Sequence, residues 1–342
     1  MLLLIALHNE LALRRERVFK DRLNPLDVSD KKLLRYYRFP RHMILRLCED
    51  LKDDIERITR RGQAIPAHTS LLVALRFYAS GSFQSVIGDS TGLSQSSVSR
   101  IITGVTEALY RKGLAEIKMP TEMNEIIQTK LKFNNISRFP NVIGAIDCTH
   151  VPIKAPKVEE NIYVNRKQYH SLNIQVVSNP DNVIMDFCAR YPGSTHDAFI
   201  WANSRLHDRF EAGEFGISYL LGDSGYPLQH NLLTPFTNPE NPPEELYYRS
   251  HARTRVVIEK TFGVLKSRFR CLHRSGGSLQ YEPDKCAKIS VACMLWHNYC
   301  IEQRIPLEEI IDDDFIMNEN VEGGAHENGH TQRREVVRNF FS

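Results

Sequence analysis

The run Asn141-Val142-Ile143-Gly144-Ala145-Ile146-Asp147-Cys148-Thr149-His150-Val151-Pro152-Ile153 constrains this chain more than any other stretch. It is apolar, short and β-branched, which predicts a buried strand rather than a helix. Asp147 is expected near the end of that strand. A buried carboxylate without a partner is costly, so Asp147 calls for a cation or a solvated cleft. Three later acids stand in comparable settings: Asp197 in Gly193-Ser194-Thr195-His196-Asp197, Asp223 in Leu220-Leu221-Gly222-Asp223-Ser224-Gly225-Tyr226, and Glu259 in Val256-Val257-Ile258-Glu259-Lys260.

A chain of 342 residues is long enough for two domains and a tail. Net charge is +3, but residues 306–342 hold nine Asp/Glu against three Arg, which leaves residues 1–305 with 41 Lys+Arg against 32 Asp+Glu. A basic body suits a polyanionic partner. Seven cysteines, an odd and scattered number without a CxxC pair, point to a reducing compartment and against a disulfide framework. Cys293, His297 and Cys300 have the spacing of metal ligands. Cys286, Cys293 and Cys300 also repeat every seven residues, so one buried helix face is the preferred reading over zinc. No stretch reaches the ~18 apolar residues of a membrane span. Leu2 to Leu7 lacks the flanks of a signal peptide, which leaves cytosol or nucleus and a helix over residues 1–24.

Residues 25–118 read as a helical domain. Ser29 is placed to cap a first helix, Pro40 separates it from a second, and Met43, Ile44, Leu47, Leu51 and Ile55 give the second a buried face. A basic connector, Arg60 to Pro66, follows. A helix over Thr69 to Ser80 ends at Gly81, a shorter one over Phe83 to Ser90 stops at Gly92, and Ser94 caps a third. Val98, Ile101, Ile102, Val105 and Leu109 form the buried stripe of that third helix, leaving Gln95, Ser96, Ser99, Arg100 and Thr103 outward. This is the helix-turn-helix arrangement, and Gln, Ser and Arg there can contact bases or phosphates. A plain helical bundle with a solvated polar face is the competing reading.

Residues 119–305 alternate strands and helices. After a helix around Asn124 to Phe133 and the Asp147 strand, Ser171 to Ser178 and Val183 to Tyr191 flank the turn Asn179-Pro180-Asp181-Asn182 and predict an antiparallel hairpin. Asp197 opens a helix, Ser218 to Leu221 is a strand leading to Asp223, and Pro227, Pro235, Pro239, Pro242 and Pro243 mark a loop. Helices fill 253–270 and 284–303. In the first of these Ile258, Phe262, Leu265 and Phe269 make the buried stripe, with Glu259, Gly263, Lys266 and Arg270 along its edge. Lys266 and Arg270 therefore suit a phosphate track beside Glu259. Alone, Glu259 reads as an intrahelical salt-bridge partner of Arg255 at i−4. The set of four acids changes the balance. Two carboxylates ~4 Å apart repel by roughly 4 kcal/mol at an effective dielectric near 20. If the four converge, hard oxygen donors select Mg²⁺ or Mn²⁺, and a pair of such ions suits phosphodiester chemistry. Arg166, Lys167 and His170, in a polar loop before a core strand, are candidates for phosphate contact.

The motifs Gly144-Ala145-Ile146-Asp147-Cys148-Thr149-His150, Tyr163-Val164-Asn165-Arg166-Lys167, Pro192-Gly193-Ser194-Thr195-His196-Asp197-Ala198, Leu221-Gly222-Asp223-Ser224-Gly225-Tyr226 and Ile258-Glu259-Lys260-Thr261-Phe262-Gly263 resemble those of the PIF/Harbinger DDE transposases, most closely the domesticated, transposase-derived nucleases of animals. The resemblance covers roughly residues 20–305. It implies an α/β, RNase H-like catalytic core preceded by an all-α helix-turn-helix domain. It also implies a metal-dependent DNA nuclease, with strand transfer as a further capacity. Asp147, Asp223 and Glu259 would be the catalytic triad and Asp197 an accessory metal ligand. Which of Asp197 and Asp223 is the essential second carboxylate stays open. The rival is a DNA-binding scaffold that kept the fold without catalysis. The resemblance further implies shared DNA-end recognition and nuclear entry with a Myb/SANT-like trihelix protein. We therefore expect a nuclear protein with a cytoplasmic pool, and leave room for a homo-oligomer. Residues 306–342 are expected to be disordered up to a short amphipathic helix at Arg333 to Phe341, and could shield the basic body or bind a partner.

Overall fold

A computed structural model describes residues 26–56, 64–307 and 324–342. The helix expected over 1–24, most of the basic connector and the acidic run after Leu307 lie outside the described residues. The first helices follow the sequence signals closely. Helix α1 (Asp30–Tyr37) has Ser29 at its N-cap position, although the Ser29 hydroxyl makes no capping hydrogen bond. Pro40 precedes α2 (Arg41–Asp50), and α3 is Lys52–Ile55. Met43, Ile44, Leu47 and Leu51 are buried as expected, while Ile55 is half-buried. Helix α4 (Ala67–Ser80) stops at Gly81, whose φ of 70° is the left-handed conformation a glycine takes without a Cβ penalty. Helix α5 (Gln84–Thr91) ends the same way at Gly92. Ser94 caps the long α6 (Gln95–Glu116) by accepting from the Ser97 N–H. Helix α7 is Met123–Ser137.

Five strands form one mixed sheet in the order β3-β2-β1-β4-β5. They are β1 (Val142–Pro152), β2 (Ser171–Ser178), β3 (Ile184–Pro192), β4 (Tyr219–Leu221) and β5 (Leu232–Leu233). The first three are antiparallel, giving the expected hairpin, and β4 and β5 add on in parallel. Because β1 lies in the middle of this sheet, Val142, Ile143, Ala145 and Ile146 are all buried. Asp147 is not near the strand's end. It lies in the middle of β1, opposite Val176 of β2. What ends there is the pairing with β4, whose last partners are Ala145 and Leu221.

Two short helices, α8 (Asp197–Ala202) and α9 (Arg205–Glu211), follow β3. Helix α10 (Pro242–Arg268) begins eleven residues before the expected 253. Pro242 and Pro243 do not belong to the loop; they open the helix, where a missing N–H costs nothing, and Asn241 caps it by accepting from the Glu244 N–H. Helix α11 is Pro283–Glu302, and α12 (Glu327–Phe340) starts six residues before the expected Arg333. Val336, Val337 and Phe341 are buried at its end, with Phe341 against the rings of Phe139 and Tyr247.

The helical segment and the sheet share one apolar cluster. It runs from Leu33, Leu72 and Ile102 through Ile174 of β2 to Phe262 and Trp296. Phe39 meets Trp296 edge to face, and Lys288 of α11 bonds Glu107 of α6 at 2.8 Å. Cys286, Cys293 and Cys300 are buried in this core, all seven cysteines are free, and His297 bonds the Asn182 carbonyl. That is the packing role preferred over zinc. Among the described residues no helix is long and apolar enough to cross a membrane.

His251 of α10 is enclosed beside β5, where its Nε2 is 3.1 Å from the Leu233 carbonyl. Burial pushes its pKa down to about 3, against that hydrogen bond. The folded protein therefore holds His251 neutral, whereas the unfolded chain takes up a proton below about 6.5. Between those values the unfolded state binds more protons, so stability falls as pH drops through this window. His251→Gln keeps a donor for Leu233 and cannot titrate. Its urea midpoint should fall less steeply with acid, by up to ~1.4 kcal/mol per pH unit in unfolding free energy. An unchanged acid slope would contradict this assignment.

Candidate metal centre

The parallel register of β1 and β4 builds the centre. Ala145 pairs with Leu221, and two residues further along each chain come Asp147 and Asp223. A two-residue step keeps side chains on the same face of a strand, so this register brings the two carboxylates together beyond the last β4 pair. Asp197 arrives from the other side, as the first residue of α8. Asn173 of β2 fixes it there, donating from Nδ2 to Asp197 Oδ1 at 3.0 Å and to the Thr195 carbonyl at 2.8 Å. The preceding Gly193 is tightly enclosed: a Cβ would lie 2.3 Å from Ser171 Oγ and 2.6 Å from the Tyr163 carbonyl. Asp223 is held by its own turn, with Oδ1 accepting from the Gly225 N–H at 2.9 Å.

Among the described residues, Asp147, Asp197 and Asp223 form the one group whose ligand atoms all lie within 4.8 Å of one another. Glu259 does not join that group. Its link to the centre is Arg255, one turn earlier on α10, whose Nη1 donates to Asp147 Oδ2 at 2.8 Å and whose Nη2 donates to Glu259 Oε1. The i−4 salt bridge read from sequence is therefore real, but it is one arm of a three-residue bridge. The Arg255–Asp147 arm, between residues 108 apart, had no local signal.

Asp147 is only 8% exposed. Burial pushes its pKa up to about 8; Arg255 opposes this, and the neighbouring Asp223 and Asp197 add to it. The Cys148 N–H donates to Oδ1 at 2.7 Å and favours the ionised form. Burial likewise drives the Cys148 thiol up, and its sulfur lies 3.2 Å from the Tyr226 hydroxyl. Three mutually repelling carboxylates, one of them buried and drawn to its neutral form, fit a hard divalent cation such as Mg²⁺ or Mn²⁺.

A cleft of about 420 Å³ opens from Asp147 and Asp197. Arg166, Lys167, Lys266, His273 and Arg274 are among the residues that line it. Arg166 bonds His196 at 3.0 Å, and Lys266, though only 6% exposed, donates to the His150 carbonyl at 3.1 Å. Arg270 is half-buried and not among the lining residues, and His170 pairs with Glu160. Arg274, whose guanidinium stacks 4.9 Å above the Tyr169 ring, was not anticipated; it follows the end of the Glu259 helix without a motif of its own. On α6, Gln95, Ser96 and Arg100 are exposed and Ser99 is half-buried. Thr103, expected outward, faces α11 instead, within 2.7 Å of Lys285 Nζ.

This arrangement of acids on a mixed sheet is accompanied by a match to the DDE superfamily endonuclease family over residues 146–298, a span that contains all four acids. The chain is 44% identical over 331 residues to "Putative nuclease HARBI1" of Homo sapiens, covering 94% of each chain. The same-named protein of Xenopus laevis is 38% identical over 329 residues, again 94% of each. "Protein ALP1-like" of Arabidopsis thaliana is 29% identical over 277 residues, 76% of this chain and 66% of that protein. No solved structure matches the chain significantly. The chain belongs to the Harbinger-derived HARBI1 family of the DDE superfamily.

Proposed function

We propose that this chain is a divalent-metal-dependent DNA nuclease derived from a DDE transposase, with an RNase H-like core. The observation that carries the reading is the convergence of Asp147, Asp197 and Asp223 from three separate elements. The strand order, three antiparallel strands followed by two parallel ones, supports the RNase H-like assignment. Asp147, Asp223 and Glu259 are the catalytic acids in this reading, and Asp197 is an accessory ligand. When bound there, Mg²⁺ or Mn²⁺ supplies Lewis-acid polarisation of the phosphodiester and lowers the pKa of an attacking water. The chain's own contribution is placement. The Cys148 and Gly225 N–H groups and Asn173 fix the three aspartates before substrate arrives. Arg166, Lys167, Lys266 and Arg274 give the cleft the cationic lining that a DNA backbone requires.

Water serves as nucleophile for cleavage and a DNA 3′-OH for strand transfer. Gln95, Ser96, Ser99 and Arg100 are the proposed DNA contacts of the helical segment, and Arg270 an additional phosphate contact. Action in the nucleus, a cytoplasmic pool, a Myb/SANT-like trihelix partner and a homo-oligomer belong to the same reading. The test is nicking of supercoiled plasmid in Mn²⁺. The wild-type protein should nick it, and Asp223→Ala should be slower by roughly 10³-fold, the scale of several kcal/mol of charge stabilisation. Equal rates in the two would refute the assignment. Mn²⁺ binding and DNA binding with no cleavage in either would favour the catalytically silent scaffold.

A further inference from the structure

The cleft that opens from Asp147 and Asp197 offers more than charge. Pro152, Val164, Tyr169 and Leu272 line it together with the cations, and a sugar-phosphate strand alone has no use for such apolar surface. Arg274 lies in the same cleft, exposed, with its guanidinium 4.9 Å from the centre of the Tyr169 ring. Aromatic rings and arginine planes are the surfaces on which proteins stack nucleobases.

Both halves of this platform are held before any ligand arrives. Tyr169 sits on a tight hairpin. Val164 bridges His170, the Asn165 N–H donates to the Tyr169 carbonyl at 3.0 Å, and the Gln168 N–H donates to the Asn165 carbonyl at 2.9 Å. Asn165, only 2% exposed, braces the turn from within. Its Oδ1 accepts from the Lys167 N–H at 2.9 Å, and its Nδ2 donates to Ser171 Oγ at 2.9 Å. Ser171 is two residues from Asn173 on β2, about 7 Å of strand, and Asn173 holds Asp197. One strand thus sets the spacing between the platform and the aspartates. Arg274 opens a 3-10 turn, Arg274–Gly276, packed where no side chain fits. A Cβ on Gly276 would lie 2.1 Å from the Arg270 carbonyl oxygen, and one on Gly81 would lie 2.5 Å from that of Gly276.

We propose that Tyr169 and Arg274 form a subsite for one unpaired nucleobase. The inference rests on the DNA-nuclease reading above and names the form of its substrate: a strand whose base at this position is out of the stack. In a duplex each base is covered on both faces by its neighbours, so only an unstacked base can use the platform. The cleft, about 420 Å³, falls in the small-ligand range of about 300–1,000 Å³; it admits a nucleotide and not a duplex. A mispaired duplex and a single strand present the same chemistry to it.

The experiment measures DNA binding by the full chain, by fluorescence anisotropy in EDTA, so that neither metal nor cleavage enters. The probes are a matched duplex, the same duplex with a central mismatched bubble, and one of its single strands. Wild type should prefer the bubble to the matched duplex by about tenfold, the scale of one stacked base. Tyr169→Ala should remove most of that preference and Tyr169→Phe should keep it. Arg274→Lys is the sharpest variant. Lysine keeps the charge that a phosphate contact needs, and with it the salt dependence on matched DNA, but has no plane to stack, so the preference should be lost. A single strand bound as tightly as the bubble would identify a free strand as the ligand, and weaker binding an opened duplex; both support the subsite. Equal affinity of wild type for bubble and matched duplex, or full preference in a folded Arg274→Lys, would overturn it. The wild-type comparison decides even if a variant does not fold. Binding to none of the probes would refute the DNA reading itself, a distinct outcome.

Discussion

Asp147→Asn is expected to weaken Mn²⁺ binding by at least ~100-fold while leaving the metal-free fold intact, because one carboxylate in a small hard-oxygen donor set contributes several kcal/mol. Asp147 is the residue on which the centre converges: it contacts Arg255, it is one of the three clustered aspartates, and it is buried in the central strand. Asparagine keeps an oxygen for the Cys148 N–H and imitates the protonated acid that burial favours. A raised pKa means that the ionised form weakens the metal-free fold at high pH, so the variant should melt no lower than wild type at pH 8 and above. Calorimetry and thermal unfolding on the same samples separate the two effects. Retained affinity would place the cation elsewhere. A collapse in metal-free stability would mean that the Asp147–Arg255 pair serves the fold rather than the centre.

Trp201→Ala is expected to cost about 3–5 kcal/mol of stability, the range for emptying a large buried aromatic site. Trp201 is fully buried in a second apolar cluster with Ile146, Phe210 and Leu220, and its Nε1 donates to Gln229 Oε1 at 2.7 Å. Truncation leaves both a cavity and an unpartnered acceptor, which adds about 1–3 kcal/mol. The consequence reaches the centre, because α8 is only six residues long and too short to persist without tertiary packing. Ile200 and Trp201 are its buried anchors, and Asp197 is its first residue. Urea unfolding should show the loss, and Mn²⁺ affinity in the folded fraction should fall with it. Trp201→Phe should cost less than half as much. A stability loss below ~1 kcal/mol for the alanine variant would show that α8 is held by other contacts.

The parts of the fold legible in the sequence were those governed by local rules. The β2–β3 hairpin announced itself through two alternating runs around Asn179 to Asn182, and Gly81, Gly92 and Ser94 marked their helix ends. The acids were recognisable as a set because each stood beside a short apolar run, and the family resemblance named the same four. What escaped depended on contacts between distant residues. The β1–β4 register, which makes neighbours of Asp147 and Asp223, pairs residues 76 apart and leaves no periodic trace in either segment. The Arg255–Asp147 bond is likewise nonlocal. Pro242 and Pro243 misled because proline breaks a helix in its interior yet favours its first turn, and only the Asn241 cap distinguishes the two cases. The packing of the helical segment against the rest is nonlocal too: Phe39 and Trp296, 257 residues apart, belong to one apolar cluster.

The most direct test is anomalous diffraction from crystals grown with Mn²⁺. The account requires a manganese peak bounded by carboxylate oxygens of Asp147, Asp197 and Asp223. Manganese bound only elsewhere on the protein, with the three aspartates empty in crystals that diffract well, would contradict it.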